Sequence, residues 1–343
     1  MPDLSDAYEI RRLQALHRTE REILKHFDSV VDSISINLKT ITYKGQVFAL
    51  KDFPLLNKRV TEQLKGLTGK INVSIKNGVT ASWNLANEKN NKIVDKRLAG
   101  KTPTKRRVQI LYDPNKPALD AFLSRKKQGL NLSGRVWKLT RGYRKELESE
   151  IGKGISEGLS APQMARKLKK YLREPDKRLH KGSKNWKAYK PGQGVFRSSY
   201  KNALRVAKEE TNQAYRRAEQ LRWEKMPFII GYTIELSNAH KTYDICDRLA
   251  GKQYPKDFVW AGWHIGCLCN KRPLQISDED YSKYEDFILG LTDKAPEISQ
   301  IEKMPAAFDK WVKDNRERIE GWKAKPFWIA ENPSFTKKLL KGK

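Results

Sequence analysis

The residues most able to do chemistry lie close together: Cys246, Cys267 and Cys269, with His240 ahead of the first cysteine and His264 ahead of the other two. Thiolate and imidazole are the ligands zinc prefers, and a structural site needs four of them around a tetrahedron. The leading ligand set is therefore His240, Cys246, Cys267 and Cys269, the first pair on one loop and the second pair on another. Asp244 and His264 stand in reserve, either to replace a ligand or, for His264, to orient a cysteine from behind. The competing reading has three cysteines buried as small hydrophobes, with the histidines packed against Trp260 and Trp263.

Catalytic uses of the same residues fare less well. Nucleic-acid deaminases carry H-x-E followed by P-C-x-x-C. Here His240 is followed by Lys241 and Thr242, His264 by Ile265 and Gly266, and the last two cysteines are spaced C-x-C, so the general acid/base is missing. A Cys–His nucleophile pair has the right residue types, but nothing in the spacing makes them adjacent. The competing enzyme class is a zinc-dependent nuclease, in which His and Asp near a metal activate water on a phosphodiester. A catalytic metal needs an open position, and three thiolates plus an imidazole close the tetrahedron. The expectation is a structural zinc and no enzyme.

The elements that must position this knot follow from periodicity. Phe228 to Leu236 is rich in β-branched and aromatic residues and leads straight into the knot, which predicts a strand. Before it, Leu204, Ala207, Thr211, Ala214, Tyr215, Ala218 and Leu221 share one face of a helix from Ser198 to Glu224 that ends before Pro227. Leu139, Tyr143, Leu147, Ile151, Ile155 and Leu159 recur every four residues on another helix. Ser160-Ala161-Pro162-Gln163 then has the form of a capping box that opens a helix through Met164, Leu168 and Leu172. Further upstream, Ile23, Phe27, Val30, Val31, Ile34 and Leu38 predict an amphipathic helix, and a second runs from about Val79 to Leu98, stopped by Gly100 and Pro103. Residues 39–80, broken by Gly and Lys, read as short helices and turns. The Pro-punctuated basic end, 325–343, reads as an appendage or a tail that packs on a partner.

The fold class is thus mainly α, helical domains with a small β-containing, zinc-stapled C-terminal module and a helical or extended tail. Four regions follow: 1–130, an N-terminal basic helical region; 131–227, a helical core with a basic segment at 175–208; 228–275, the β/Cys-His module; and 276–343, a helical appendage and basic tail.

Charge points to a partner. Lys plus Arg number 69 against 40 acidic residues, a net +29, which implies a polyanion nearby. Residues 121–145 and 181–208 carry many cations, and the second run interleaves them with Trp186, Tyr189, Phe196 and Tyr200. No apolar run approaches the roughly 20 residues needed to span a bilayer, so nucleic acid is preferred over membrane. The early acids of the N-terminus do not fit a secretory signal, which places the chain in a reducing cytoplasm. With no zinc-finger or basic-zipper pattern to read bases, contact with double-stranded DNA is expected to be non-specific and salt-sensitive. The candidate contacts are Arg125, Lys126, Lys127, Lys184, Lys187, Lys190, Arg197, Lys201 and Arg205.

The chain resembles the Mu F-like minor head morphogenesis proteins of tailed bacteriophages over about residues 135–275. That family joins an A-R-T-E-T-N-x-A-Y-like helix to a strand, a His/Cys segment with an aspartate and a G-K turn, and a closing H-P-x-C-R-C. Here the corresponding residues are Arg205 to Tyr215, Asp244-Ile245-Cys246, Ala250-Gly251-Lys252 and His264-Ile265-Gly266-Cys267-Leu268-Cys269. Lys208-Glu209-Glu210 stands where Arg-Thr-Glu is usual, Ile265-Gly266 replaces the proline-containing spacer, and Leu268 replaces the arginine. The resemblance implies a minor capsid protein bound to the portal protein or the major capsid protein inside the virion, assembled in the host cytoplasm and engaged in head assembly and genome packaging or delivery.

Overall fold

The computed structural model describes residues 4–36, 38, 48–127, 129–173, 198–240, 243–322 and 325–341. In chain order it contains α1 (Leu4–Ile36), α2 (Pro54–Leu98), α3 (Lys105–Leu111), α4 (Lys116–Ser124), α5 (Leu132–Ser156), α6 (Ala161–Arg173) and α7 (Ser199–Glu224). Then come β1 (Ile229–Glu235), α8 (Ile245–Leu249), β2 (Gln253–Pro255), β3 (Asn270–Gln275), α9 (Asp278–Leu289), α10 (Ala306–Asp314), α11 (Arg316–Glu320), α12 (Phe327–Ala330) and α13 (Pro333–Lys341). The protein is mainly helical with one small sheet near its C-terminal end, as the periodicities predict. No described helix is long and apolar enough to cross a membrane.

Two compact units are present, and neither is continuous in sequence: one comprises Met1–Gln14, Val79–Asp120 and Thr211–Lys343, the other Ala15–Gly78 and Ala121–Glu210. The boundaries drawn along the sequence at 130, 227 and 275 do not coincide with these. The reason is that α1, α2 and α7 each contribute one stretch to either unit, which no linear reading of linkers reveals.

The second unit is a helical assembly with a mostly aliphatic core. Ile23, Phe27, Val30, Val31 and Ile34 of α1 are buried with Val136, Tyr143, Leu147 and Ile151 of α5 and Met164, Leu168 and Leu172 of α6. Phe27 meets Tyr143 edge-on at 5.0 Å and Tyr200 at 5.5 Å. At the entry to α6, Gln163 Oε1 accepts from both the backbone N–H and the hydroxyl of Ser160, each at 2.8 Å, which is the reach-back half of the expected capping box.

One expectation is overturned here. Residues 54–78 are not short helices and turns but the first half of the 45-residue α2. Gly66 and Gly69 suggested breaks, yet a helix tolerates each at about 1 kcal/mol. Burial of Leu56, Val60, Leu64, Leu67, Ile71 and Ile75 on one stripe outweighs that cost. Residues 39–47 lie outside the described residues.

The first unit is built around the sheet, in the antiparallel order β2-β1-β3. Gly231, in the central strand, is required by close approach: a Cβ there would sit 2.6 Å from the Tyr254 carbonyl oxygen and 2.7 Å from Ile301 Cδ1. Beside the sheet lies an aromatic core in which Phe258 meets Phe308 at 5.5 Å and Trp263 meets Trp328 at 5.5 Å. The end of the chain belongs to this core, and the tail is corrected accordingly. Trp328 of α12 is fully buried and donates its indole N–H to the Trp263 carbonyl at 3.0 Å. Asn332 accepts from Val259 N at 2.7 Å and donates to Val259 O at 2.8 Å. Residues 325–341 therefore pack on their own chain, because Trp328, Ile329 and Phe335 supply apolar area that a reading of charge and proline overlooks.

Candidate metal centre

The donors are placed by three short pieces of backbone. His240 closes a turn after β1, its N–H donating to Ser237 O at 2.8 Å. Cys246 enters in the first turn of α8, where Asp244 caps the helix by accepting from Cys246 N at 2.7 Å. Asp247 completes the capping box by accepting from Asp244 N at 2.7 Å. His264, Cys267 and Cys269 lie on the loop that leads into β3.

These segments converge. Cys246 Sγ is 3.8 Å from Cys267 Sγ and 3.2 Å from His264 Nε2. Donor atoms of His240, Cys246 and Cys269 all lie within 4.8 Å of one another, as do those of Cys246, His264 and Cys267 and those of His240, Asp244 and Asp247. All three cysteines are buried and none is in a disulfide. The cluster is compatible with a bound metal, with Cys246 common to the two thiol-bearing triads and either histidine in reach. The leading set of His240, Cys246, Cys267 and Cys269 is divided between those two triads, and the reserve His264 stands in the second.

Hydrogen bonds prepare both imidazoles as ligands. His264 Nδ1 donates to the Ile265 carbonyl at 2.9 Å, which turns Nε2 toward Cys246 Sγ, 3.2 Å away. His240 Nε2 faces Asp247 Oδ2 at 3.0 Å, which leaves Nδ1 as the donor. Asp244, the other reserve, divides its carboxylate between the Cys246 N–H and His264 Nε2, 3.1 Å away. The thiols are coupled. Hydrogen bonds from Cys246 and Cys269 push Cys267 well down toward the thiolate, aided by the Arg216 charge. The same bond to Cys267 pushes Cys246 up.

The supporting residues escaped the sequence reading. Arg216 of α7 is buried and donates to three carbonyls of the cysteine loop: Ala261 at 2.5 Å, Cys267 at 2.8 Å and Cys269 at 2.6 Å. Its guanidinium lies 4.5 Å from the centroid of Trp260. Gly262, at φ 129, makes room for it, since a Cβ there would fall 2.8 Å from Arg216 Nη1. Arg12 of α1 donates to Asn212 Oδ1 at 2.5 Å and to Leu268 O at 2.8 Å. Lys271 of β3 is buried, donates to Arg216 O and Gln220 Oε1 at 3.1 Å each, and is pushed by that burial down to about 7. Lys89 and Glu219 form a buried ion pair at 2.6 Å. The signal lay in α7 itself, where Arg216, Glu219 and Arg222 sit beside an apolar stripe, positions a solvated helix face would not bury.

The basic candidates fare unevenly. Arg125 and Lys127 converge with Arg135 on the buried carboxylate of Glu210, at 2.8, 3.1 and 2.9 Å. Burial alone would raise Glu210, but the Lys127 charge, the Arg135 hydrogen bond and the Arg125 charge hold it at about 2. Arg125 and Lys127 are thus spent internally, which removes them from the set of free phosphate ligands. Lys126 is exposed, whereas Lys201 and Arg205 are half-buried on α7. Burial pushes Arg205 down. Lys184, Lys187, Lys190 and Arg197 lie outside the described residues. Comparison with protein-family models, with curated proteins and with solved structures finds no match for this chain.

Proposed function

We propose that this chain is a minor capsid, or head morphogenesis, protein of a tailed phage. Its cysteine module holds a structural zinc, and its basic helical unit faces packaged double-stranded DNA. The observation that carries the reading is the division of labour between the units. Residues 15–78 and 121–210 hold 35 Lys and Arg against 14 Asp and Glu, a net +21 of the chain's +29, whereas the unit with the thiol cluster holds 34 against 26, a net +8. A polyanion-facing surface and a stapled fold are kept in separate units, as a component that grips DNA while docking on portal or major capsid protein requires.

Zinc suits the donors. For Zn–S bonds of about 2.3 Å, a tetrahedron has an S···S edge of about 3.8 Å, and Cys246 Sγ and Cys267 Sγ are 3.8 Å apart. Three thiolates and one imidazole fill four positions, which supports a structural ion over the nuclease alternative. Asp244 and Asp247, the carboxylates such a nuclease would use, are occupied in capping α8 and orienting histidines.

The test is assembly. When the chain is co-expressed with the portal and major capsid proteins of its source, purified heads should contain it at a few copies, with one zinc per chain by elemental analysis. Heads that exclude it, or a purified chain with zinc far below one equivalent, would overturn the corresponding half of the proposal.

A further inference from the structure

The carboxylates of α5 face inward and are occupied. Glu146 accepts from Ser199 N at 3.0 Å and Ser199 Oγ at 2.6 Å, Glu148 accepts from Leu50 N at 2.8 Å, and Glu150 is buried against Lys153 at 2.9 Å. Several of its cations are occupied too: Arg135 by Glu210 at 2.9 Å, and Arg144 by Thr61 Oγ1 at 2.9 Å and by Asn57. What remains is one outward face with Lys138, Arg141 and Lys145, all exposed, in a stretch from 121 to 145 that contains no acid.

Trp137 lies on that face and is 48% exposed. Trp137, Arg141 and Lys145 are spaced i, i+4 and i+8, so they stack along one stripe about 12 Å long, with Lys138 beside it. The neighbouring basic helix α6 commits Lys167, Lys169 and Arg173 to Glu157, Asp32 and Asp28 and keeps Arg166 and Lys170 exposed, but it has no exposed aromatic residue beside them. An exposed indole among cations that make no ion pair among the described residues matches a ligand with repeated negative charge and an apolar edge between the charges.

We propose that this α5 face is where the chain meets the backbone of duplex DNA, with Lys138, Arg141 and Lys145 on phosphates and Trp137 against the deoxyribose between them. The assignment rests on the DNA-facing reading and narrows it to four residues. It replaces Arg125 and Lys127, which Glu210 already holds.

The experiment measures binding of the full chain to a random-sequence duplex by fluorescence anisotropy across a salt series. Each phosphate contact contributes about 0.9 to the slope of log K against log salt, so Lys138→Gln/Arg141→Gln/Lys145→Gln should lower the slope by about 2.7. Trp137→Ala should weaken binding several-fold at unchanged slope. An equal change of charge on α2, Lys65→Gln/Lys70→Gln/Lys76→Gln, should leave the slope close to that of the parent. If both triple variants lose the same slope, or if the α5 triple keeps it, this face is wrong while the DNA-facing reading stands. Unchanged affinity of Trp137→Ala overturns the sugar contact, and tighter binding to a single strand of the same length overturns the duplex assignment. Failure of the parent chain to bind DNA at low salt overturns both readings.

Discussion

The two units handle charge in opposite ways. The unit with the thiol cluster has the smaller net charge, yet it buries Arg12, Arg216, Arg222, Lys271 and the Lys89–Glu219 pair, and it holds seven of the chain's nine tryptophans. The basic unit buries Glu210 and, among its described residues, keeps most cations exposed. Net charge therefore describes what a surface meets, whereas buried charge describes how a fold is fixed. In the first unit the buried cations are tethers: the carbonyls that the cysteine loop buries among its own aromatic residues are satisfied by guanidinium groups. In the second, helical packing is joined by one buried carboxylate, Glu210, that gathers three cations.

The largest test of that contrast is removal of the proposed zinc ligands. Free energies of about 10–16 kcal/mol accompany zinc binding in small structural sites, and if the cluster holds zinc, loss of even part of this should dissolve the aromatic packing beside the knot. Cys246→Ser, which removes the donor common to the two thiol-bearing triads, should collapse the near-ultraviolet circular dichroism that the clustered tryptophans generate. The helical far-ultraviolet signal should fall far less. A strong chelator should do the same, reversibly on adding zinc. An unaltered near-ultraviolet spectrum would mean that the arginine tethers hold the loops without metal.

Next in size is the tether itself. Arg216→Met leaves three buried carbonyls without donors, at about 1–3 kcal/mol each, so a loss of about 4 kcal/mol is expected in urea unfolding followed by tryptophan fluorescence. Arg216→Lys should recover only part, because an ammonium lacks the planar fork that spans Ala261, Cys267 and Cys269. Equal stability of the Lys variant and the parent would show that charge, not geometry, is what the site needs.

In the basic unit the corresponding device is Glu210. Its carboxyl is held at about 2 against an ordinary 4.5, which corresponds to about 3 kcal/mol. Because the folded value is depressed, this contribution is complete above about pH 4.5 and is lost as pH falls toward 2. Glu210→Gln should therefore lose about 3 kcal/mol at neutral pH and show a flatter decline in stability between those limits. Unfolding measured across that range checks both. A parallel decline in parent and variant would place the acid sensitivity elsewhere.

Much of this was legible from residue order because it rests on local periodicity. The helices through Phe27, Leu147, Leu168 and Ala214, the strand at Ile229–Glu235 and the clustering of the five candidate metal donors all follow from spacing of three to four, or of two, or from residue type. What was not legible depends on distant partners. Arg216 has meaning only once the cysteine loop lies over α7, Trp328 only once Trp263 presents a carbonyl to it, and Arg125 with Lys127 look free until Glu210, more than 80 residues away, is folded beneath them. Strands β2 and β3 are also set by pairing. Pro273 and Lys271 have no strand preference of their own and are recruited by the register of β1.

The smallest effect concerns the element that local signals most misled. Gly66 and Gly69 lie on the outer side of α2 in the basic unit, and a Cβ at either would meet nothing within 4 Å. Neither is placed by close packing or by a positive φ, so each should cost the helix its propensity and backbone entropy and nothing else. Gly66→Ala and Gly69→Ala are then expected to stabilise the basic unit by about 0.5–1 kcal/mol apiece, nearly additively, seen as a higher urea midpoint with an unchanged slope. Gly231→Ala, in the strand of the other unit, has the opposite sign, because its Cβ would collide with the Tyr254 carbonyl. Should the α2 substitutions instead destabilise, the helix would be broken near residues 66–69 in solution. The basic unit would then owe its order to an external partner and not to its own core.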